Sequence, residues 1–135
     1  MIKHSPDWHR IPITPVPAPR QSQRDAWKPR PCVVRYRAYK DAIRPHLSGL
    51  PHAFEVIFIL PMPPSWSTKK RRAHDRTPHQ QKPDTDNLLK AFKDAVMEDD
   101  AVIYHDSAWK FWGEEGAILW RPLSLDGITL DDLIS

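Results

Sequence analysis

The stretch Lys82-Pro83-Asp84-Thr85-Asp86-Asn87-Leu88-Leu89-Lys90, followed closely by Glu98-Asp99-Asp100, decides how the rest of this chain is read. Two carboxylates one residue apart open an amphipathic segment, and an acidic triplet stands past its end. At about 100° per residue, Leu88, Leu89, Ala91, Phe92, Ala95 and Val96 fill one arc, which predicts a helix over 86–97. Asp86, Asn87, Lys90, Lys93 and Asp94 fill the opposite arc, and Asp86, Lys90 and Asp94 stack at i, i+4 spacing. Such acids are most simply an N-cap and a solvated, ion-paired face. Against that reading, Asp84 and Asp86 cannot both cap one helix end, and Lys82-Pro83 presents the pair on a stiffened turn. Hard divalent cations take oxygen ligands, and Mg²⁺ is commonly held by a few carboxylates plus water and substrate phosphate. A helix framed by acids at both ends returns them to one site if the chain folds back.

Working outward, Phe54-Glu55-Val56-Ile57-Phe58-Ile59-Leu60 reads as a strand rich in β-branched and aromatic residues. Val33 to about Leu47 reads as a helix, with Val34, Ala38, Ala42 and Ile43 at roughly helical spacing; Pro45 shortens it and Gly49 closes it. Pro61 ends the strand and opens a long basic loop, Pro63-Pro64-Ser65-Trp66-Ser67-Thr68-Lys69-Lys70-Arg71-Arg72, running on to Gln81. Lys69, Lys70, Arg71 and Arg72 beside Trp66 suit a phosphate backbone with an aromatic lying on a base or sugar. The plain alternative is a solvated loop, although a loop this long in a small domain is usually functional or disordered.

After the helix, 101–104 and 108–112 read as extended structure, and Glu114-Glu115-Gly116 predicts a hairpin into Ala117-Ile118-Leu119-Trp120. At the other end, Ile11 to Pro17 alternates apolar residues with prolines, as an edge strand or extended arm does, and residues 1–10 read as a flexible leader. Thr129 to Leu133 predicts a capped terminal turn within an acidic tail, 123–135. Strands and helices mix without βαβ regularity, so the expected class is α/β or α+β: a small mixed sheet packed with two main helices, in a single domain over 11–122.

The whole chain of 135 residues suffices for one core and not two. Its formal charge of +3, with Asp126, Asp131 and Asp132 concentrated in the tail, leaves a body more basic than the average and favours a polyanionic partner. A single cysteine, Cys32, excludes an intrachain disulfide and a thiolate zinc cage, and the seven histidines lack metal-ligand spacing. No apolar run approaches the ~20 residues of a membrane helix, and the first residues have no apolar signal core, so a cytoplasmic protein is expected.

The rival chemistries fail on particular residues. A calcium loop opening at Asp84 needs glycine and glutamate where Leu89 and Ala95 stand. No Gly-x-Ser-x-Gly or phosphate-cradling glycine loop exists among four glycines. A glycosidase carboxylate pair leaves the basic loop without a purpose. Metal-assisted phosphodiester chemistry survives, with Lys90 one turn into the helix to stabilise charge and Asp100 completing the site from the returning strand.

At these residues the sequence resembles the RusA family of Holliday junction resolvases, small endonucleases common in prophages. The resemblance rests on Lys82-Pro83-Asp84-x-Asp86-Asn87-Leu88-x-Lys90, on Asp94, on Glu98-Asp99-Asp100 and on Lys110. It is extended by Ile13-x-Pro15-Val16-Pro17, Tyr36-x-x-Tyr39-Lys40 and Pro64-Ser65-x-Ser67-x-Lys69-Lys70-Arg71, and covers roughly 11–120. It implies a homodimer that binds four-way DNA junctions and makes paired symmetric nicks in DNA recombination and repair, with Mg²⁺ or Mn²⁺. By the same likeness Asp84, Asp86 and Asp100 are metal ligands, with Asp99 the less favoured third, and Lys90 is catalytic; Lys82, the basic run and Trp66 fall to DNA. Two departures stand out: the link from the helix to Asp99-Asp100 is short, and no aromatic pair precedes Asp84, leaving Trp66 as the substitute. A non-catalytic DNA-binding module and a nuclease of another nucleic-acid specificity remain the alternatives.

Overall fold

The computed structural model describes residues 3–4, 8–20, 23–47, 50–96 and 100–135, the side chains of Lys3, His4, Gln23 and Asp100 excepted. Its centre is β3 (Ala53–Pro61), whose alternating Phe54, Val56, Phe58 and Leu60 are all buried. β4 (His105–Gly113) pairs with it in parallel and β5 (Ala117–Ser124) antiparallel, from Ala53↔His105 and Phe54↔Pro122 onward. β1 (Lys3–His4) and β2 (His9–Ile11) share the far edge of β5, so the mixed sheet is four strand positions wide. Helices α1 (Pro31–Ile43) and α3 (Thr85–Val96) cover one face, giving the α+β class expected, in one domain and not closed into a barrel.

The α3 arc read from the sequence is the arc that packs. Leu88, Ala91, Phe92 and Ala95 are buried, and the Phe92 ring meets Phe58 edge-on at 6.1 Å and Phe54 at 6.0 Å. Each such aromatic contributes about 1.5–3 kcal/mol by leaving water. Three ties fix the helix: Tyr36 donates to Asp94 (2.9 Å), Arg44 to the Ala95 carbonyl (2.7 Å), and Lys93 pairs with Asp106 of β4 (3.1 Å). Burial followed by the Asp94 contact raises the Tyr36 phenol above its ordinary range.

Five expectations are corrected. The Ala117–Trp120 strand does not form a hairpin with β4, because β3 sits between them. β3 is apolar on both faces and takes the central place, so Glu114-Glu115-Gly116 steps over its end, a span of about 10 Å for two strand spacings. Glycines bracket the step for want of room: a Cβ on Gly113 would collide with Ile59, and one on Gly116 with Thr14. The buried face of α1 is Val33, Tyr36, Tyr39 and Ile43, while Val34, Ala38 and Ala42 face solvent; tyrosine carries a large apolar ring into a core, and Tyr36 spends its hydroxyl on Asp94. Pro45 does end the helix, in a 3₁₀ turn, whereas Gly49 lies outside the described residues.

The basic loop is interrupted by α2 (Thr68–His74), and 100–102 forms a 3₁₀ turn rather than a strand. The stretch read as a leader contributes β1 and β2 to the sheet. The terminal turn is α4 (Leu130–Ile134), closed by a capping box between Thr129 and Asp132. Among the described residues no helix is long and apolar enough to cross a membrane.

Candidate functional site

The site is built where the chain enters α3. Residues 76–79 run along the free edge of β4: Arg76 donates to the Trp112 carbonyl (2.9 Å), Trp112 to Thr77 (2.9 Å) and His79 to Lys110 (3.0 Å). Pro78 bridges Phe111 within this ladder, losing nothing by its missing N–H at an edge. His79 is buried and its ring lies tilted against Trp112 at 3.9 Å; burial first, then the Lys110 charge, lower its pKa. Its Nδ1 accepts from the Gln81 amide at 3.4 Å. Lys110 then reaches up from β4 and donates to the carbonyls of Gln81 and, at 2.9 Å, Pro83, across the cis Lys82–Pro83 bond. The loop ending at Asp84 is therefore held from beneath by the sheet.

The Asp84 carbonyl accepts from Leu88 at 3.2 Å, which places Asp84 just before the helix and Asp86 in its first turn. Both aspartates and Lys90 are exposed, and Lys90 stands one turn beyond Asp86. Among the described residues neither carboxylate has an ion-pair partner, although Asp94 and Lys93 of the same helix are engaged elsewhere. The helix N-terminus adds partial positive charge next to the pair.

Asp100 stands apart from them. It opens the 3₁₀ turn past the far end of α3, a helix of 12 residues and so about 18 Å long. The Lys93–Asp106 and Lys110–Pro83 contacts show α3 and β4 running in opposite directions, and Tyr104 bonds to His52 ahead of β3. The backbone of Asp100 thus lies at the opposite end of the helix from Asp84 and Asp86; Glu98 and Asp99 are outside the described residues. No group of three metal-ligating side chains occurs among the described residues.

The basic segment divides into used and unused charges. Ser67 caps α2 by accepting from the Lys70 amide at 3.2 Å. Trp66 is not an open stacking surface: it packs on Trp112 (4.7 Å) and His74 (4.9 Å), and Lys70 covers its ring at 4.4 Å. Arg71 donates to the Pro63 carbonyl at 3.0 Å. Lys69, Arg72 and Lys82 remain exposed. The run of four cations is thereby sorted into two that fasten the helix and two that face outward, a division that spacing along the chain does not reveal.

Residues 12–119 match the family described as endodeoxyribonuclease RusA. The chain belongs to the RusA endodeoxyribonuclease family. The match runs from the proline-rich arm into β5 and encloses α1, α2, α3, Asp84, Asp86, Lys90, Asp100 and Lys110. Among curated proteins no relative matches. As a RusA-family member the chain is a nuclease by descent. Missing from the sequence reading was a role for Lys110 and His79, which act through contacts between distant segments.

Proposed function

We propose that this RusA-family protein is a divalent-metal-dependent endonuclease that resolves four-way DNA junctions by paired nicks. The observation that carries the reading is the pair Asp84 and Asp86: exposed, without a cation partner among the described residues, and set on a loop held by Lys110. Two carboxylates one residue apart are hard oxygen donors that suit Mg²⁺ or Mn²⁺, which keep several waters and complete their shell with substrate phosphate. When bound there, such an ion would lower the pKa of a coordinated water and neutralise charge on the scissile phosphate.

The chain's own residues supply the rest. Asp84 and Asp86 hold the charge at the mouth of α3, Lys90 faces the same side and donates to a phosphate oxygen as negative charge develops. Lys69, Arg72 and Lys82 neutralise flanking phosphates. Asp100 enters this reading through the family resemblance, not through the neighbourhood of Asp84 and Asp86.

A homodimer belongs to the same reading, because two strands of like polarity need two sites related by a dyad. The apolar arm at 11–17 is spent within the chain, since Ile11 and Pro15 are buried and Ile13 and Val16 pack on the chain's own core. The face of the sheet away from the helices remains, where Ile57, Ile59, Phe111 and Leu119 line a cavity of about 620 Å³.

The test is incubation of the purified chain with a labelled four-way junction and a matched linear duplex, with Mg²⁺ or with EDTA. Symmetric nicks on the junction alone, and only with metal, are expected. Binding without cutting under every metal condition would overturn the assignment in favour of a binding module. Equal cutting of linear duplex would overturn junction selectivity.

A further inference from the structure

Trp27 is the most exposed large apolar side chain among the described residues, at 81 %, and it follows a hydrogen-bonded turn. A 3₁₀ turn over Gln23–Ala26 lets the Arg24 carbonyl accept from both Trp27 (3.3 Å) and Lys28 (2.9 Å). Beneath it Asp25 is only 1 % exposed, and its carboxylate accepts from the Arg30 amide (3.1 Å), Nε (3.2 Å) and NH2 (3.0 Å). Arg30 also donates to the Arg20 carbonyl, and Arg37 of α1 donates to the Asp25 carbonyl at 3.0 Å. The Asp25–Arg30 pair, its carboxylate buried and its guanidinium half exposed, thus clasps the turn ahead of α1, and the indole stands in solvent.

Charge and position name the partner. From Arg20 to Arg37 the chain carries six cations, Arg20, Arg24, Lys28, Arg30, Arg35 and Arg37, against one carboxylate, Asp25, already occupied by Arg30. Two copies of such a surface repel each other, while a polyanion is attracted. The segment leaves the core at Ala18, whose amide donates to the Asn87 carbonyl at 3.2 Å, next to Asp86. An exposed indole among cations is the arrangement that stacks on an accessible base while the phosphates are neutralised.

We infer that Trp27 stacks on an unpaired or unstacked base of branched DNA, with Arg24 and Lys28 on the flanking phosphates; this rests on the junction-nuclease reading above. Trp66, packed against Trp112 and covered by Lys70, leaves that role open.

The experiment titrates the full chain, in EDTA, against a four-way junction carrying 2-aminopurine at the branch point and against linear duplex. Trp27→Ala is expected to weaken junction binding by about ten-fold, in the range of one stacked base, to abolish the change in 2-aminopurine fluorescence, and to leave duplex affinity unchanged. Trp27→Phe is expected to restore most of the signal. Unchanged junction affinity and fluorescence in Trp27→Ala would overturn the inference, as would an equal loss on duplex. A shift in sedimentation mass on that substitution would mark a contact between copies instead and overturn it too. Wild-type protein that binds neither DNA would overturn the junction reading itself, a result distinct from each of these.

Discussion

Lys110 and Pro83 are joined by a hydrogen bond of 2.9 Å from the ammonium to the carbonyl, so a residue of β4 holds the peptide that leads into Asp84. The same ammonium takes the Gln81 carbonyl, and both bonds are charge-assisted. Lys110→Met is expected to cost about 1–2 kcal/mol of stability and to lower Mn²⁺ affinity several-fold, read by calorimetry on the full chain. Lys110→Arg keeps the charge and is expected to recover part of the affinity. Unaltered Mn²⁺ binding in Lys110→Met would show that the loop holds its shape without the strand.

Removing charge at the acidic pair separates cutting from gripping. Asp84→Asn and Asp86→Asn are each expected to reduce junction cleavage by at least about 100-fold, on the scale of one strong electrostatic contact in a transition state. Junction affinity in EDTA is expected to hold or rise, since each change removes a negative charge facing DNA. Full cleavage by both variants would remove the pair from catalysis. Asp100→Asn belongs in the same assay, where a comparable loss would require the far end of α3 to reach the site from another copy.

The division of cations on α2 gives a contrast within four adjacent residues. Lys69→Ala and Arg72→Ala are each expected to reduce the salt dependence of DNA binding by about one ion, with little change in melting temperature. Arg71→Ala is expected to act mainly on stability, since its guanidinium holds the Pro63 carbonyl. The check is a set of binding isotherms across salt concentrations beside thermal melts; equal slopes in all three variants would refute the division.

Buried His79 makes stability depend on pH on the acid side. Its folded pKa lies below the ordinary 6.5, so the unfolded chain binds the proton first as pH falls. The contribution is fully present above 6.5 and is lost progressively as pH drops through the lower folded value. Denaturant melts at pH 7.5 and pH 5 read the loss, as rough brackets of that window. His79→Phe, which keeps the stack on Trp112, is expected to flatten the difference; an unchanged difference would assign it to other groups.

Much of this architecture could be read from the chain. The α3 arc and the β3 run carry strong periodic signals, and the structure packs the residues those signals name. The hairpin expected after β4 failed because turn chemistry is local, while the centre of a sheet goes to the strand with two apolar faces, which is β3. The buried face of α1 was misplaced because Tyr36 and Tyr39 were not counted as core, although each buries a ring. Helix α2 was hidden by its own charges, and only Ser67 signals its start.

The site was legible in the same uneven way. The positions of Asp84 just ahead of α3 and of Asp86 and Lys90 one turn apart on it follow from spacing. The grip of Lys110 on residues 27 and more positions earlier in the chain, and the loss of Trp66 to Trp112, are tertiary contacts that no local pattern encodes. For Asp100 the distance is also tertiary: acids at both ends of a helix look like neighbours in a sequence, and its backbone lies a helix length from Asp84 and Asp86.

The parallel pairing of β3 with β4 has a consequence for ancestry. Parallel neighbours need a long crossover, and here that one crossover, from Met62 to Tyr104, contains α2, the loop held by Lys110, Asp84, Asp86 and Lys90. The carboxylate pair, Lys90 and the cations of α2 therefore lie on one uninterrupted segment whose ends are adjacent strands. Genetic exchange at those two ends would carry Asp84, Asp86 and Lys90 to a related sheet together, with the grip on their loop left to the receiving strand's counterpart of Lys110.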